Sequence, residues 1–315
     1  MPPLHPFDHA AASAETEAFN KRLAGELVAA PRPFDLPVAV TRQARAEGKG
    51  IFPPAGPLPG SDWVEIPMAP GAAGRVRVSR PDGATRGVYL HIHGGGWTFG
   101  CPDQYDGYNQ RIARATGLAV VSVQYRLAPE HPWPACAEDC EAAALWALEA
   151  FEGPMTIGGE SAGGHLSVIT LLRLREQGKL GRVAGAVLNY GIYDLAMTPS
   201  AKNWGESYMI LSTPVIEWFS ANLMGGAEDR EASPLGADLS GMPPALFQVG
   251  TYDPLLDDSL FMAARWQAAG ARAELALAPG GVHAFDCFDL EIAREAHARQ
   301  DAFLNTCLSA AAPAP

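Results

Sequence analysis

Residues 155–164 read MTIGGESAGG, and this stretch decides how the surrounding chain folds. The apolar run at 155–158 is typical of a buried strand, and a helical pattern begins just after Ser161. The pattern G-x-S-x-G between a strand and a helix predicts a sharp turn that holds the serine hydroxyl outward. We therefore expect Ser161 at the carboxyl end of a strand, beside the free N–H groups of a helix N-terminus.

The chain on both sides of this turn alternates short apolar runs with longer amphipathic stretches. Strands are predicted at 87–91, 118–125, 155–158, 183–188, 245–249 and 273–278, and helices at 13–30, 104–116, 135–150, 162–176, 257–269 and 289–308. This alternation predicts an α/β fold, a mostly parallel central sheet with helices on both faces. Residues 63–66 and 75–79 are predicted to be antiparallel edge strands, and the Pro- and Gly-rich stretch 32–60 has no assignment.

The composition narrows the possible partners. The chain has 315 residues, 48% of them hydrophobic, with 23 basic and 35 acidic side chains and a net charge of −12. Without a basic cluster, this charge argues against nucleic acid and anionic membrane surfaces as partners. The mean hydropathy is −0.02, and no apolar run is long enough to span a membrane. The first residues lack a signal-peptide pattern, so we expect a soluble, cytoplasmic protein.

Three consecutive glycines follow the predicted strand at 87–91. Residues 93–97 read HGGGW, and a chain without Cβ atoms at Gly94, Gly95 and Gly96 can direct its N–H groups toward one point. That arrangement is what an oxyanion hole requires. A plain glycine-rich turn and a phosphate-binding loop are the alternatives, and the second fits poorly because neither glycine-rich phosphate motif occurs in the chain.

A nucleophilic serine needs a base, and the base needs an acid that orients it. His283 follows the predicted strand 273–278 and is therefore expected at the same sheet edge as Ser161. His297 lies inside the last predicted helix and is interpreted as a surface residue. Asp253 follows the strand 245–249 and is the preferred acid, with Asp257 as the alternative. Asp257 and Asp258 are otherwise interpreted as first-turn helix acids.

Metal and disulfide chemistry are not expected. His91 and His93 form a pair without a third ligand at a convincing spacing, so we predict no metal and no cofactor. The five cysteines include Cys136 and Cys140, which are four positions apart and could share a helix face. Their preferred interpretation is two small buried thiols.

Five blocks of the sequence resemble the bacterial hormone-sensitive-lipase-like esterases, a branch of the α/β-hydrolases. The blocks appear in the family's order and read HGGGW at 93–97, YRLAPEHPWP at 125–134, GESAGG at 159–164, DPLLD at 253–257 and GVHAF at 281–285. Together they are far more specific than any single block. One departure is Glu160, where aspartate is common in such proteins.

This resemblance implies a fold, a site and an activity. Ser161, Asp253 and His283 would form a catalytic triad, and the N–H groups of Gly95, Gly96 and Ala162 would bind the oxyanion beside a loop shaped by Gly94. The expected architecture is an α/β-hydrolase core at 51–190 and 236–315, with a helical cap from an N-terminal segment, 1–50, and an insertion, 191–235. The expected substrates are small-molecule carboxylic esters with short- to medium-chain acyl groups, and no cofactor is implied.

Several alternatives remain open at this point. The same triad serves amidases, thioesterases and lactonases, and plant gibberellin receptors show that a related fold can be a non-catalytic small-molecule receptor. The presence of His283 favours catalysis. A lipase acting at an oil interface is disfavoured by the acidic charge.

The substrate pocket and the assembly can be anticipated only in outline. The residues predicted to line the pocket are Trp97, Tyr193, Trp204, Tyr208 and Ile210, although each could equally belong to the core of the cap. The last predicted strand, 273–278, would be a sheet edge, and pairing of two such edges would give a homodimer.

Overall fold

A computed structural model of the chain describes residues 12–53, 56–68 and 73–311. The strands of these residues are β1 (Ser61–Pro67), β2 (Ala73–Ser79), β3 (Val88–Ile92), β4 (Ala119–Val123), β5 (Met155–Glu160), β6 (Val183–Asn189), β7 (Ala245–Tyr252) and β8 (Ala273–Val282). They form one sheet in the order β1-β2-β4-β3-β5-β6-β7-β8.

The sheet is parallel except at one end. β1 pairs with β2, and β2 with β4, in antiparallel register. The remaining neighbours all pair in parallel. The predicted mostly parallel sheet with an antiparallel edge is therefore confirmed. Because parallel strands point the same way, the segments that follow β3, β5, β7 and β8 emerge at one edge of the sheet.

Helices cover both faces of this sheet. They are α1 (Ala14–Ala29), α2 (Val38–Ala46), α3 (Asp106–Thr116), α4 (Ala135–Ala150), α5 (Ala162–Glu176), α6 (Pro199–Asn203), α7 (Thr213–Met224), α8 (Leu256–Ala268) and α9 (Glu291–Ala311). α3 and α9 pack against one face, and α4, α5 and α8 against the other. In β3, Tyr89 faces the α3–α9 layer while Leu90 faces the opposite layer, as the two-residue period of a strand requires.

Two segments lie outside the sheet layers, and we name them the N-terminal segment, residues 12–50, and the insertion, residues 191–235. The N-terminal segment contains α1, which begins after the cap Ser13, and α2. The insertion leaves the sheet after β6, contains α6 and α7, and leads back to β7. Residues 1–11 of the predicted N-terminal cap and residues 312–315 of the tail lie outside the described residues.

The structure extends and corrects several predicted boundaries. α2 lies within the stretch 32–60, for which no element was predicted. β7 continues to Tyr252 and β8 to Val282, so both strands run up to the residues that follow them in the site. β4 ends at Val123, two residues earlier than predicted. Within the described residues, no helix is long and apolar enough to cross a membrane.

Candidate active site

Ser161 lies on the turn that joins β5 to α5. Its backbone has φ 56° and ψ −116°, a conformation that residues with a Cβ rarely adopt. Glycine is required on both sides of it, because a Cβ added to Gly159 or Gly163 would lie 2.0 or 1.8 Å from the carbonyl oxygen of Ile92. The expected sharp strand-to-helix turn is therefore present, and it places the serine at the carboxyl end of β5.

The structure brings Ser161, His283 and Asp253 together in one hydrogen-bonded row. His283 Nε2 lies 2.9 Å from Ser161 Oγ, and His283 Nδ1 lies 2.9 Å from Asp253 Oδ2. Asp253 and His283 are 1% and 4% exposed. The other oxygen of Asp253 accepts the N–H of Leu255 at 2.8 Å. A carboxylate fixed in this way holds the proton of the imidazole on Nδ1 and leaves Nε2 to accept the serine proton.

Asp257, the alternative acid, is not in the row. Its Oδ2 accepts the N–H of Ser200 at 2.8 Å. Asp258 beside it accepts the N–H groups of Tyr193 and Asp194 and the hydroxyl of Thr198. The interpretation of both residues as first-turn helix acids was therefore incomplete, because both carboxylates also fasten the insertion to α8.

The glycines at 94–96 form a loop pressed against the serine turn. A Cβ on Gly94 would lie 2.7 Å from the carbonyl oxygen of Glu160 and 3.5 Å from Ser161 Cβ. Gly95 and Gly96 have φ values of 115° and 59°. A Cβ on Gly96 would also meet the ring of Phe219 at 2.2 Å. Ala162, the first residue of α5, contributes a helix N-terminus on the other side of Ser161.

An apolar pocket opens directly beside Ser161, with an empty volume of about 290 Å³ including its mouth. Its lining consists of Gly96, Trp97, Ser161, Ala162, Ile192, Leu211, Ile216, Phe219 and Leu255. Four of these residues come from the insertion and only Leu255 from the loop before α8. The pocket is therefore a cleft between the sheet edge and the insertion.

Of the residues predicted to line the pocket, only Trp97 does so. Tyr193 is fully buried and packs against Phe247. Trp204 packs on Tyr252 and donates to the carbonyl of Ser207. Ile210 and Tyr208 belong to the packing of the insertion against the core. The sequence pattern identified the right segment but could not distinguish its inward side chains from those facing the cleft.

Comparison with known proteins decides the family. The sequence profile of a family described as alpha/beta hydrolase fold matches residues 89–287, well over half of the chain. The chain belongs to this family. Within the matched region lie the glycine loop, Ser161, Asp253 and His283, and the fold described above is therefore an α/β-hydrolase fold.

Relatives of this α/β-hydrolase are ester hydrolases by name. It is 34% identical to carboxylic ester hydrolase LipN of Mycobacterium tuberculosis over 69% of its own length and 62% of LipN, so it spans under two-thirds of that relative. It is 32% identical to an ethyl acetate hydrolase of Pseudomonas putida, over 67% of its length and 70% of the relative.

A solved structure agrees with these relatives. The hyperthermophilic esterase of the archaeon Pyrobaculum calidifontis has a TM-score of 0.82 and 31% identity, covering 95% of this chain and 99% of that one. The resemblance to the bacterial hormone-sensitive-lipase-like esterases is thereby confirmed.

His165 of the hydrolase lies four residues after Ser161 and connects the glycine loop to the insertion. Its Nδ1 accepts the indole N–H of Trp97 at 3.2 Å, and its Nε2 donates to the carbonyl of Ala232 at 2.9 Å. Both bonds require the neutral imidazole, and burial lowers its pKa to about 4. His165 is therefore a packing and hydrogen-bonding residue beneath the serine turn.

Tyr190 and Asp286 form a second buried pair beside the histidine of the row, and the sequence analysis missed both. The ring of Tyr190 meets the ring of His283 edge-on, with centroids 4.9 Å apart. The hydroxyl of Tyr190 donates to Asp286 Oδ1. Burial raises the pKa of Asp286 to about 6. The only available sequence signal was their position after β6 and just after His283.

Glu160, the departure from the family pattern, is buried behind the serine turn. Its Oε2 lies 3.0 Å from His91 Nε2, and His91 Nδ1 lies 2.8 Å from Ser122 Oγ. His93 stacks on Tyr125 at 4.3 Å, and burial lowers its pKa to about 3. Both histidines therefore have structural partners, and the described residues contain no cluster suited to a metal ion.

Two remaining predictions concern a histidine and the cysteines. His297 is half-buried on α9 rather than fully exposed: its ring lies 5.7 Å from that of Tyr108, and burial lowers its pKa to about 4. Cys136 and Cys140 lie on α4 as buried free thiols. Burial raises the pKa of Cys136 to about 12, so neither the spacing nor the environment points to a reactive pair.

Proposed function

We propose that this hydrolase cleaves small carboxylic esters with short- to medium-chain acyl groups, through an acyl-enzyme on Ser161. The observation that carries the proposal is the row from Asp253 through His283 to Ser161, with both links at 2.9 Å, at the wall of an apolar pocket. The names of its relatives as ester hydrolases support the same activity.

The proposed mechanism uses only groups of the chain. His283 Nε2 takes the hydroxyl proton of Ser161 as its oxygen attacks the ester carbonyl, and Asp253 stabilises the imidazolium that forms. The N–H groups of Gly95, Gly96 and Ala162 stabilise the negative oxygen. His283 then protonates the departing alcohol and later activates the water that releases the acid.

The N-terminal segment and the insertion act together as a cap in this proposal. The insertion supplies Ile192, Leu211, Ile216 and Phe219 to the pocket wall. These apolar side chains suit an acyl chain and leave little room for a long one. The rate with p-nitrophenyl esters is therefore expected to be highest for short chains and to fall as the chain lengthens.

Replacing the serine tests the proposal directly. Ser161→Ala is expected to lower kcat for p-nitrophenyl butyrate by roughly 10⁴- to 10⁶-fold, since binding and the oxyanion site alone give little rate. Its thermal unfolding should match that of the unaltered chain. A folded Ser161→Ala variant with full activity would contradict the mechanism.

We further propose the cytoplasm as the compartment of the hydrolase. All five cysteines are free in the structure, which suits a reducing compartment. Immunodetection of the protein in fractionated source cells tests this, and recovery with secreted or membrane fractions would overturn it.

A homodimer formed through β8 is the proposed assembly. β8 ends the sheet and pairs on one side with β7, and Leu275 on it is 40% exposed. Two such edges could continue one sheet across a twofold axis. Light scattering should give twice the chain mass, and Leu275→Lys should give the monomer mass. A monomer before substitution would contradict this assembly.

A further inference from the structure

Two arginines on α2 face the body of the molecule, and they differ in one respect. Arg42 is saturated: its guanidinium donates to the carbonyls of Thr98 and Ala128 and to both carboxylate oxygens of Glu130. Arg45, three residues later, is half-buried. No carboxylate of the described residues forms an ion pair with it. A cation in this state has hydrogen-bond donors to offer.

Aromatic rings surround the Arg45 guanidinium. Its central carbon lies 4.7 Å from the ring centroid of Phe99 and 5.6 Å from that of Phe52. Burial lowers the pKa of Arg45, while the nearby hydroxyls of Tyr105 and Tyr208 raise it. Contact with ring faces uses the faces of the guanidinium and leaves its N–H edges free. The two rings thus hold the cation in place without neutralising its charge.

The same residues connect Arg45 to the active site. The N–H of Phe99 donates to the carbonyl of Gly95 at 2.8 Å, and the Phe99 ring lies 5.8 Å from that of Phe219, which lines the pocket. The hydroxyl of Tyr105 lies against the backbone of Gly94. Arg45 therefore stands where the N-terminal segment, the glycine loop and, through Tyr208, the insertion meet.

We propose that Arg45 binds a carboxylate carried by the alcohol part of the ester substrate. The inference rests on the proposed ester hydrolysis and narrows its substrate class to acidic esters. The pocket beside Ser161 has an apolar lining, which suits the acyl chain and disfavours a charge. In this proposal the alcohol part points out of that pocket past Tyr105, which contacts the backbone of Gly94 and lies near Arg45. A planar guanidinium with free N–H edges matches a carboxylate in both charge and geometry.

A matched pair of substrates tests this inference. 4-Acetoxybenzoate and 4-acetoxybenzamide release the same acyl group and differ in the charge of the leaving phenol. We expect Arg45→Gln to lower kcat/KM for the benzoate about 10- to 100-fold more than for the benzamide. This factor corresponds to the usual strength of a hydrogen bond to a charged group. Arg45→Lys keeps the positive charge but loses the paired N–H groups of the guanidinium. Its kcat/KM for the benzoate should therefore lie between those of the unaltered protein and Arg45→Gln.

The control variant is Arg114→Gln, which makes the same change in net charge. Arg114 is exposed in the last turn of α3, just before the start of β4 and so near the sheet edge opposite the site. The Arg114→Gln variant should leave the ratio of kcat/KM for the benzoate to that for the benzamide unchanged. An equal loss of the ratio in both variants would attribute the effect to overall charge and overturn the site.

Four further outcomes are decisive. If Arg45→Gln lowers kcat/KM equally for the two acetates, or lowers only the stability of the protein, Arg45 is a packing residue and the inference is wrong. If p-nitrophenyl hemisuccinate, with its carboxylate on the acyl side, depends on Arg45 instead, the proposed placement is wrong. If the unaltered chain hydrolyses neither acetate, the proposed function fails and the inference with it, whereas hydrolysis of both with an Arg45-independent ratio overturns the inference alone.

Discussion

The carboxyl group of Asp286 is buried next to His283, and the hydroxyl of Tyr190 donates a hydrogen bond to it. Burial raises its pKa from the usual 3.8 to about 6 in the folded protein. The unfolded chain therefore releases this proton at lower pH than the folded protein. The contribution of Asp286 to the free energy of unfolding falls as the pH rises from about 4 to 6, and stays low above that.

Asp286→Asn is expected to be more stable than the unaltered protein at pH 8, by up to about 2 kcal/mol. The difference should vanish below about pH 3.8, because Asp286 is then largely protonated in both the folded and the unfolded chain. Urea unfolding across this pH range measures the effect. Asp289→Asn is the control, because this side chain is 94% exposed. A stability difference for Asp286→Asn that is independent of pH would contradict the buried charge.

Whether sequence reveals a site residue depends on how local its role is. Ser161 and His283 could be placed because each follows a strand of a parallel sheet. The carboxyl ends of parallel strands meet at one edge of the sheet, so both residues are expected there. Asp258 could not, because its carboxylate accepts N–H groups of Tyr193 and Asp194, more than sixty positions earlier. Contacts of this kind arise from packing between distant segments and leave no pattern along the chain.

At the scale of elements, His165 of α5 holds the glycine loop and the insertion in their relative positions. Its pKa falls from 6.5 to about 4 on folding. The stabilisation it provides is therefore complete above about pH 6.5 and is lost as the pH falls toward 4. Protonation would also direct an N–H of the ring at the indole N–H of Trp97.

His165→Gln should reduce this acid sensitivity, since an amide can accept from Trp97 and donate to Ala232 at any pH. Between pH 6.5 and 4 the unaltered protein should lose stability relative to the variant by up to about 1.4 kcal/mol per pH unit. Chemical denaturation at several pH values provides the measurement. Parallel stability curves for the two proteins would show that His165 is not the acid-sensitive group.

The elements that sequence predicted best are those with a strong apolar period and clear ends. α2 was missed because no side chain caps its N-terminus, none of its residues is fully buried, and Pro37 precedes it in a Pro-rich stretch. Its arginines and the partly buried Val38 attach it to the molecule. The ends of β7 and β8 were underestimated because glycines and a bulge interrupt their pattern.

At the scale of the whole molecule, α1 is an integral part of the fold. Leu23 is 2% exposed, within a cluster that includes Val282 of β8 and Phe285 after His283. Asn20 of α1 also donates to the carbonyl of Gly280 at 2.8 Å. The helix thus packs on the segment that carries His283, although the two are about 260 positions apart.

Leu23→Ala is expected to cost about 2–5 kcal/mol of unfolding free energy, as for other buried leucines. Val28 on the same helix is 89% exposed, and Val28→Ala should change stability by less than about 0.5 kcal/mol. Unfolding followed by both tryptophan fluorescence and circular dichroism should remain one transition. Separate melting of the N-terminal segment in Leu23→Ala would show that α1 is an independent unit.

The insertion leaves and re-enters the sheet at neighbouring places, because β6 and β7 pair directly, with Ala186 opposite Ala245. The sheet's hydrogen bonds therefore do not depend on what is carried between these two strands. An engineer could exchange the insertion for another of different length and reshape the acyl pocket without touching the catalytic row. A successful transplant would need to supply groups that satisfy Asp257, Asp258 and His165, which are among the core side chains that bond the present insertion.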